Sequence, residues 1–211
     1  MTEFFPGPEG RLESAFWMPA DGSEPEICAA VAHPNPAAGG SMRTTAVFRT
    51  ARGLQNAGLG VLRFNFRGVG ESEGEIEAGP REVEDLRAAL DELERRFPGV
   101  RLWAGGFSFG SRTAAALAGD DERIERVCLI AMPVDAFDCS PVTEVRCPGL
   151  VLQAENDQFG NLASLKREFP VLPVGLELDE IPDTDHFFVG KTRELETRVR
   201  DYALRHLERP S

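Results

Sequence analysis

Basic side chains are scarce in this chain. Against 35 Asp and Glu it carries 23 Lys and Arg, a formal net charge of -12 at pH 7. Nucleic acid and anionic membrane surfaces are bound by basic patches, so this balance disfavours both as partners. Long apolar runs are missing too. No window approaches the uninterrupted apolar length of a membrane span, and Met1-Thr2-Glu3-Phe4-Phe5 lacks the basic stretch and apolar core of a secretion signal. Cysteine is limited to Cys28, Cys128, Cys139 and Cys147, with no C-x-x-C or zinc-like spacing. Cys28 and Cys128 fall inside apolar runs, where a thiol behaves as a small buried hydrophobe. These absences together predict a soluble cytoplasmic protein. The acidic run Glu71, Glu73, Glu75, Glu77 has no ordered set of companion ligands and reads as an exposed loop, so neither metal nor cofactor is expected. There is no internal repeat, low-complexity tract or linker, and at 211 residues with 42% hydrophobic content a single domain over 1–211 is expected.

What is present is the pentapeptide Gly106-Phe107-Ser108-Phe109-Gly110, set between a strand-like run, Val100 to Ala104, and a helix-like one, Thr113 to Ala118. A serine at a sharp strand-to-helix turn is held in strained backbone geometry, and flanking glycines let strand and helix approach closely enough to lift its hydroxyl clear of the sheet. Ser108 is therefore the candidate nucleophile. A serine hydroxyl needs a base and an orienting carboxylate. Histidine is rare, with three in the chain: His33 upstream, His206 in the charged C-terminal segment, and His186 in a loop between a strand-like run, Gly175 to Ile181, and a closing helix. Chain order favours His186 as base. The apolar strand Pro148 to Ala154 runs into Glu155-Asn156-Asp157, where Asp157 is the chosen acid and Glu155 its main competitor. Asp179, Asp183 and Asp185 also crowd the histidine loop.

Attack on a carbonyl further requires donors for the developing oxyanion. The strand Ile27 to Ala32 leads into His33-Pro34-Asn35-Pro36, where the prolines have no N–H and leave Asn35 as the candidate donor. The second expected donor is the N–H of Phe109 at the start of the elbow helix. His33 is expected to brace this loop, and it joins Arg67, Phe107 and Phe187 as a candidate for the substrate pocket. Arg67 leaves a strand at the same sheet end as Ser108, where it would either meet a substrate carboxylate or pair with nearby acidic residues in its own loop, and Phe107 would either line the acyl site or pack beneath the serine.

Periodicity alternates strand and helix in the manner of a mostly parallel central sheet with helices on both faces. A hairpin of Phe4-Phe5 with Leu12 to Met18 comes first, then helices over Thr45 to Asn56 and from Pro80, the latter with a stripe of Val83, Leu86, Leu90, Leu93 and Phe97.

Taken together, His33-Pro34-Asn35-Pro36 with Gly39-Gly40-Ser41-Met42, the segment Phe64 to Gly74, the elbow, Asp157 and His186 resemble the α/β-hydrolase superfamily. The chain looks like one of its small, lidless, dienelactone-hydrolase-like bacterial members, although dienelactone hydrolases proper carry a cysteine nucleophile where this chain has Ser108. The resemblance implies an α/β-hydrolase fold, a Ser108-His186-Asp157 triad, and hydrolysis of an ester, thioester or related acyl bond in a small-molecule substrate. Many relatives insert a helical cap at the position of Pro133 to Cys147, but here that connection is too short for one, which predicts an open pocket suited to small or exposed substrates. An amide or peptide hydrolase, and a non-catalytic ligand-binding protein of the same fold, are the alternatives.

Overall fold

The computed structural model describes residues 3–77 and 79–207. In chain order its elements are β1 (Glu3–Gly7), β2 (Gly10–Trp17), β3 (Ile27–Ala32), α1 (Thr45–Asn56), β4 (Gly60–Phe64), α2 (Glu82–Arg96), β5 (Arg101–Phe107), α3 (Phe109–Ala118), β6 (Ile124–Ile130), β7 (Gly149–Ala154), α4 (Leu162–Glu168), β8 (Leu176–Ile181) and α5 (Thr192–Arg205). The turn formers Pro6 to Gly10 fold β1 back on β2, and β2 lies antiparallel to β4. Every later pairing is parallel, and the strands run β1-β2-β4-β3-β5-β6-β7-β8 across one sheet.

Strands buried on both faces read as continuous apolar runs, and β3 shows why. Ile27, Ala29 and Val31 pack with α1 and α5 on one side, while Cys28, Ala30 and Ala32 pack with α2 and α3 on the other. All four cysteines are buried and unpaired, and burial raises each thiol well above its ordinary pKa. The α2 stripe enters the core through Leu86, Leu90 and Leu93. Acidic residues open that helix and Arg95 and Arg96 close it, matching its dipole at both ends. It begins at Glu82 rather than Pro80, and the Glu82 carboxylate accepts the Gly79 N–H at 2.8 Å just ahead of it.

The exposed-loop reading of the acidic run fits its placement. Glu73 pairs with Arg11 on the hairpin and Glu77 with Arg81. Among the described residues no group of three or more His, Cys, Asp or Glu is placed to hold a metal ion, and no helix is long and apolar enough to cross a membrane. The edge strand β8 keeps half-buried Glu177 and Asp179, which pair with Arg205 and Arg198 of α5. Charge on an edge strand discourages edge-to-edge pairing. Between β6 and β7 the chain makes only a short 3-10 turn, Ser140–Glu144, so no cap domain covers the carboxyl ends of the parallel strands. Loops leaving adjacent strands converge at that end of the sheet, where ligands of open α/β sheets bind.

Candidate active site

Ser108 is the residue directly after β5 and has φ 56 and ψ -122. For a residue with a Cβ this region costs about 1–3 kcal/mol and persists only where the surroundings enforce it. They do so here. The Ser108 N–H donates to the Ile130 carbonyl at 2.9 Å, and the Ser108 carbonyl accepts from both the N–H and the hydroxyl of Ser111, at 2.8 and 2.6 Å. The two elbow glycines make room for the turn. A Cβ on Gly106 would run into the Gly110 carbonyl, and one on Gly110 would lie 2.5 Å from the Ala32 carbonyl oxygen. Their absence lets α3 start against the ends of β3 and β5.

The loop after β8 brings His186 over this turn. Its Nε2 lies 2.9 Å from Ser108 Oγ and its Nδ1 lies 2.7 Å from Asp157 Oδ2. An ionised Asp157 can only accept, so the proton of the neutral ring sits on Nδ1 and the Nε2 lone pair faces the serine hydroxyl. Asp157 is itself fixed by the Phe159 N–H, which donates to Oδ1 at 2.8 Å. The competing carboxylates are engaged elsewhere. Glu155 accepts the Asp183 N–H at 2.8 Å, Asp185 accepts the N–H groups of Phe187 and Val189 at 3.1 Å each, and Asp179 pairs with Arg198. Phe107 packs beneath the imidazole with ring centroids 4.9 Å apart, and Phe159 stands edge-on to it at 4.8 Å.

The loop after β3 faces the serine from the other side. His33 is fully buried there, its Nδ1 2.6 Å from the Pro34 carbonyl oxygen and its Nε2 accepting the Phe66 N–H at 3.0 Å. The Pro34 carbonyl and the Asn35 N–H belong to one planar peptide, so anchoring the oxygen aims the hydrogen. On its far side Asn35 is held by Ala38 and Gly40, whose N–H groups donate to its carbonyl at 3.1 and 3.0 Å. Both ring nitrogens of His33 are thus used by the backbone, and burial holds the ring neutral by pulling its pKa down to about 4, against the opposing pull of the Pro34 carbonyl.

That pKa has a consequence for stability. Between pH 6.5 and about 4 the unfolded chain takes up a proton at His33 that the folded protein refuses, so stability is lost as pH falls through this window. The loss is expected to reach roughly 3 kcal/mol. Chemical denaturation across the window should give a shallower pH slope for His33→Asn than for the wild type, and equal slopes would refute the assignment.

A cavity of about 420 Å³ opens above Ser108 and His186, with Asn35, Pro133, Phe137, Phe159 and Phe187 among its walls. A larger open groove of about 920 Å³ lies at the other end of the parallel strands, between Glu24 to Glu26 and Phe97 to Arg101. Its walls carry carboxylates but no serine, cysteine or histidine, so the chemistry rather than the volume selects the smaller cavity. Of the four residues named as pocket candidates, Phe187 lies in the cavity wall and the other three are placed outside it. His33 faces the backbone behind the wall, and Phe107 lies under the histidine ring. Arg67 turns the other way, its guanidinium and N–H clamping Asp85 at the start of α2 (2.7–3.1 Å) with Glu9 at 3.0 Å. The reason is topological: β4 is separated from β5 by β3, and the loop after it folds onto the β1–β2 hairpin. Pro133, Ala136, Phe137 and Phe159 were not foreseen as walls. Only Phe159, two residues past Asp157, carried a positional signal.

Arg67→Ala is accordingly expected to destabilise the protein by about 3–5 kcal/mol, because it strands a fully buried Asp85. The preference between neutral and carboxylate-bearing esters should not change. Denaturant titration reads the first and a pair of matched esters the second.

Mostly parallel sheet, strained serine elbow and acid and histidine on later loops define an α/β hydrolase. Residues 29–206 match the family of the alpha/beta hydrolase domain, and the chain belongs to that family. It is 33% identical over 210 residues to a protein of Rickettsia prowazekii (strain Madrid E), the match covering 95% of this chain and 87% of the other. A solved alpha-beta serine hydrolase homologue from Coxiella burnetii is 32% identical with a TM-score of 0.88, over 99% of this chain and 97% of its own. A lidless a/b serine hydrolase from Xanthomonas campestris is 31% identical with a TM-score of 0.89, over 100% and 96%.

Proposed function

We propose that this protein is a serine hydrolase that cleaves a carboxylic ester, thioester or related acyl bond of a small substrate through an acyl-enzyme on Ser108. The observation that carries the proposal is the chain of contacts from Ser108 Oγ to His186 Nε2 at 2.9 Å and from His186 Nδ1 to Asp157 Oδ2 at 2.7 Å, opening into an apolar-walled cavity. His186 takes the serine proton as Oγ attacks the carbonyl carbon, and Asp157 holds the ring in the required tautomer and stabilises the imidazolium. The carbonyl oxygen gains negative charge between the N–H groups of Asn35 and Phe109, the latter at the positive end of the α3 dipole. His186 then returns its proton to the leaving group, and water repeats the cycle on the acyl-enzyme. The four unpaired cysteines agree with a cytoplasmic home.

Fluorophosphonate labelling followed by intact mass is the test, on the wild type beside Ser108→Ala and His186→Ala. A single adduct on the wild type alone is the expected result. A folded wild type that takes no label would overturn the proposal and leave a ligand-binding protein of the same fold.

A further inference from the structure

We infer that the cavity above Ser108 continues past Phe187 and Thr44 into a second apolar depression that receives the alcohol portion of an ester, so that the substrates are neutral esters of bulky hydrocarbon alcohols. This rests on the serine-hydrolase reading of the same site. The depression has a volume of about 300 Å³ and is lined by Thr44, Thr45, Ala46, Phe187, Val189 and Thr192, none of which is ionisable. Thr44 and Phe187 also belong to the wall of the main cavity, so one ligand can span both.

The chemistry of proton return decides which half of the ester lies there. The acyl group stays on Ser108, whereas the alcohol oxygen leaves with the proton from His186 Nε2 and must depart on the histidine side. Phe187 directly follows that histidine, with ring centroids 5.1 Å apart, and Val189 comes two residues later. The rest of the main cavity is left to the acyl half, including the wall formed by Phe137, whose ring packs against that of Phe109 at 5.8 Å.

Phe187 and Val189 are 48% and 68% exposed, while Phe188 between them is fully buried. Their exposure does not come from a loose loop. Asp185 accepts both of their N–H groups at 3.1 Å, the Val189 carbonyl accepts the Thr184 hydroxyl at 3.2 Å, and the Phe188 carbonyl accepts the Lys191 N–H at 2.9 Å. Two large apolar side chains are therefore held in water beside the reacting centre on a preformed frame. A hydrocarbon group laid across them removes that surface from water without ordering the protein. Binding of this kind is the same in the ground and transition states and lowers KM rather than raising kcat.

The test is a series of acetate esters of methanol, n-butanol and 2-phenylethanol, with kcat and KM measured for the wild type, Val189→Asp and Thr45→Asp. Val171→Asp serves as control, Val171 being an exposed apolar residue that lines neither cavity. Both site variants place a carboxylate in the depression. Position 45 is an exposed helix start where Asp favours folding, so the pair guards against a variant that fails for other reasons. In the wild type kcat/KM should rise about ten-fold or more from the methyl to the 2-phenylethyl ester, mostly through KM. Within each site variant that ratio should fall to near one, and in Val171→Asp it should stay at the wild-type value. A wild type that labels with fluorophosphonate and turns over acetates with a flat alcohol series overturns the subsite and leaves the hydrolase reading standing. So does an unchanged ratio in both site variants. Absence of labelling overturns both.

Discussion

Ser108→Ala is expected to reduce kcat on a turned-over ester by about a million-fold, with the fold intact. Alanine keeps the backbone and Cβ of the elbow, so the hydrogen bonds that fix the turn, from Ser108 N–H to Ile130 and from Ser111 to the Ser108 carbonyl, have no reason to change. What disappears is the oxygen that attacks. His186→Ala should cost about the same, because without a base at 2.9 Å the serine proton has no acceptor. Groups that act as one unit are not additive, so the double variant should lose no more than either single one. Kinetics on the three proteins, with circular dichroism to verify folding, checks this; a Ser108→Ala variant retaining more than about a thousandth of wild-type kcat would sink Ser108 as nucleophile. Ser108→Gly should be equally inactive yet more stable in thermal melts, since glycine adopts φ 56 without strain.

The second large effect separates two carboxylates two residues apart. Asp157→Asn is expected to lower kcat by about ten-thousand-fold. An amide in place of the carboxylate at 2.7 Å can present its NH2 to Nδ1, which moves the ring proton to Nε2 and leaves nothing to accept the serine hydrogen. Glu155→Gln should stay within about ten-fold of wild type, because Glu155 sits on the exposed side of the loop and only ties down the Asp183 N–H. Equal losses in the two variants would reverse the assignment of the acid.

The elbow was legible in the sequence because its constraints are local. A serine with positive φ, a glycine two residues either side and a strand-to-helix change are all written within a dozen positions. The strands were legible for a similar reason, since burial on both faces demands unbroken apolar runs such as Ile27 to Ala32. Arg67 shows where local reading ends. Its partner Asp85 lies 18 residues away on another element, and whether a side chain at a strand end turns toward the cavity or toward α2 depends on the strand order, which no window of sequence encodes. Phe137 escaped for the same reason, because it reaches the cavity only through its packing on Phe109. The Pro34 to Asn35 peptide was half legible: the prolines singled out Asn35, but the anchoring of its plane by His33 required the fold.

The strand that delivers the histidine loop is also the outermost strand on its side of the sheet, and its residues from Leu176 to Glu180 are only half-buried. The serine, by contrast, hangs from β5 in the middle, with neighbours on both sides. Sheets come apart from their borders inward, in cooperative pieces that open at lower free energy than the whole. Under mild denaturant β8 and the loop after it should therefore detach before the central strands melt. Amides of residues 177 to 189 would then exchange with deuterium ahead of those of β5, and hydrolytic activity would fade while most of the helical signal persists.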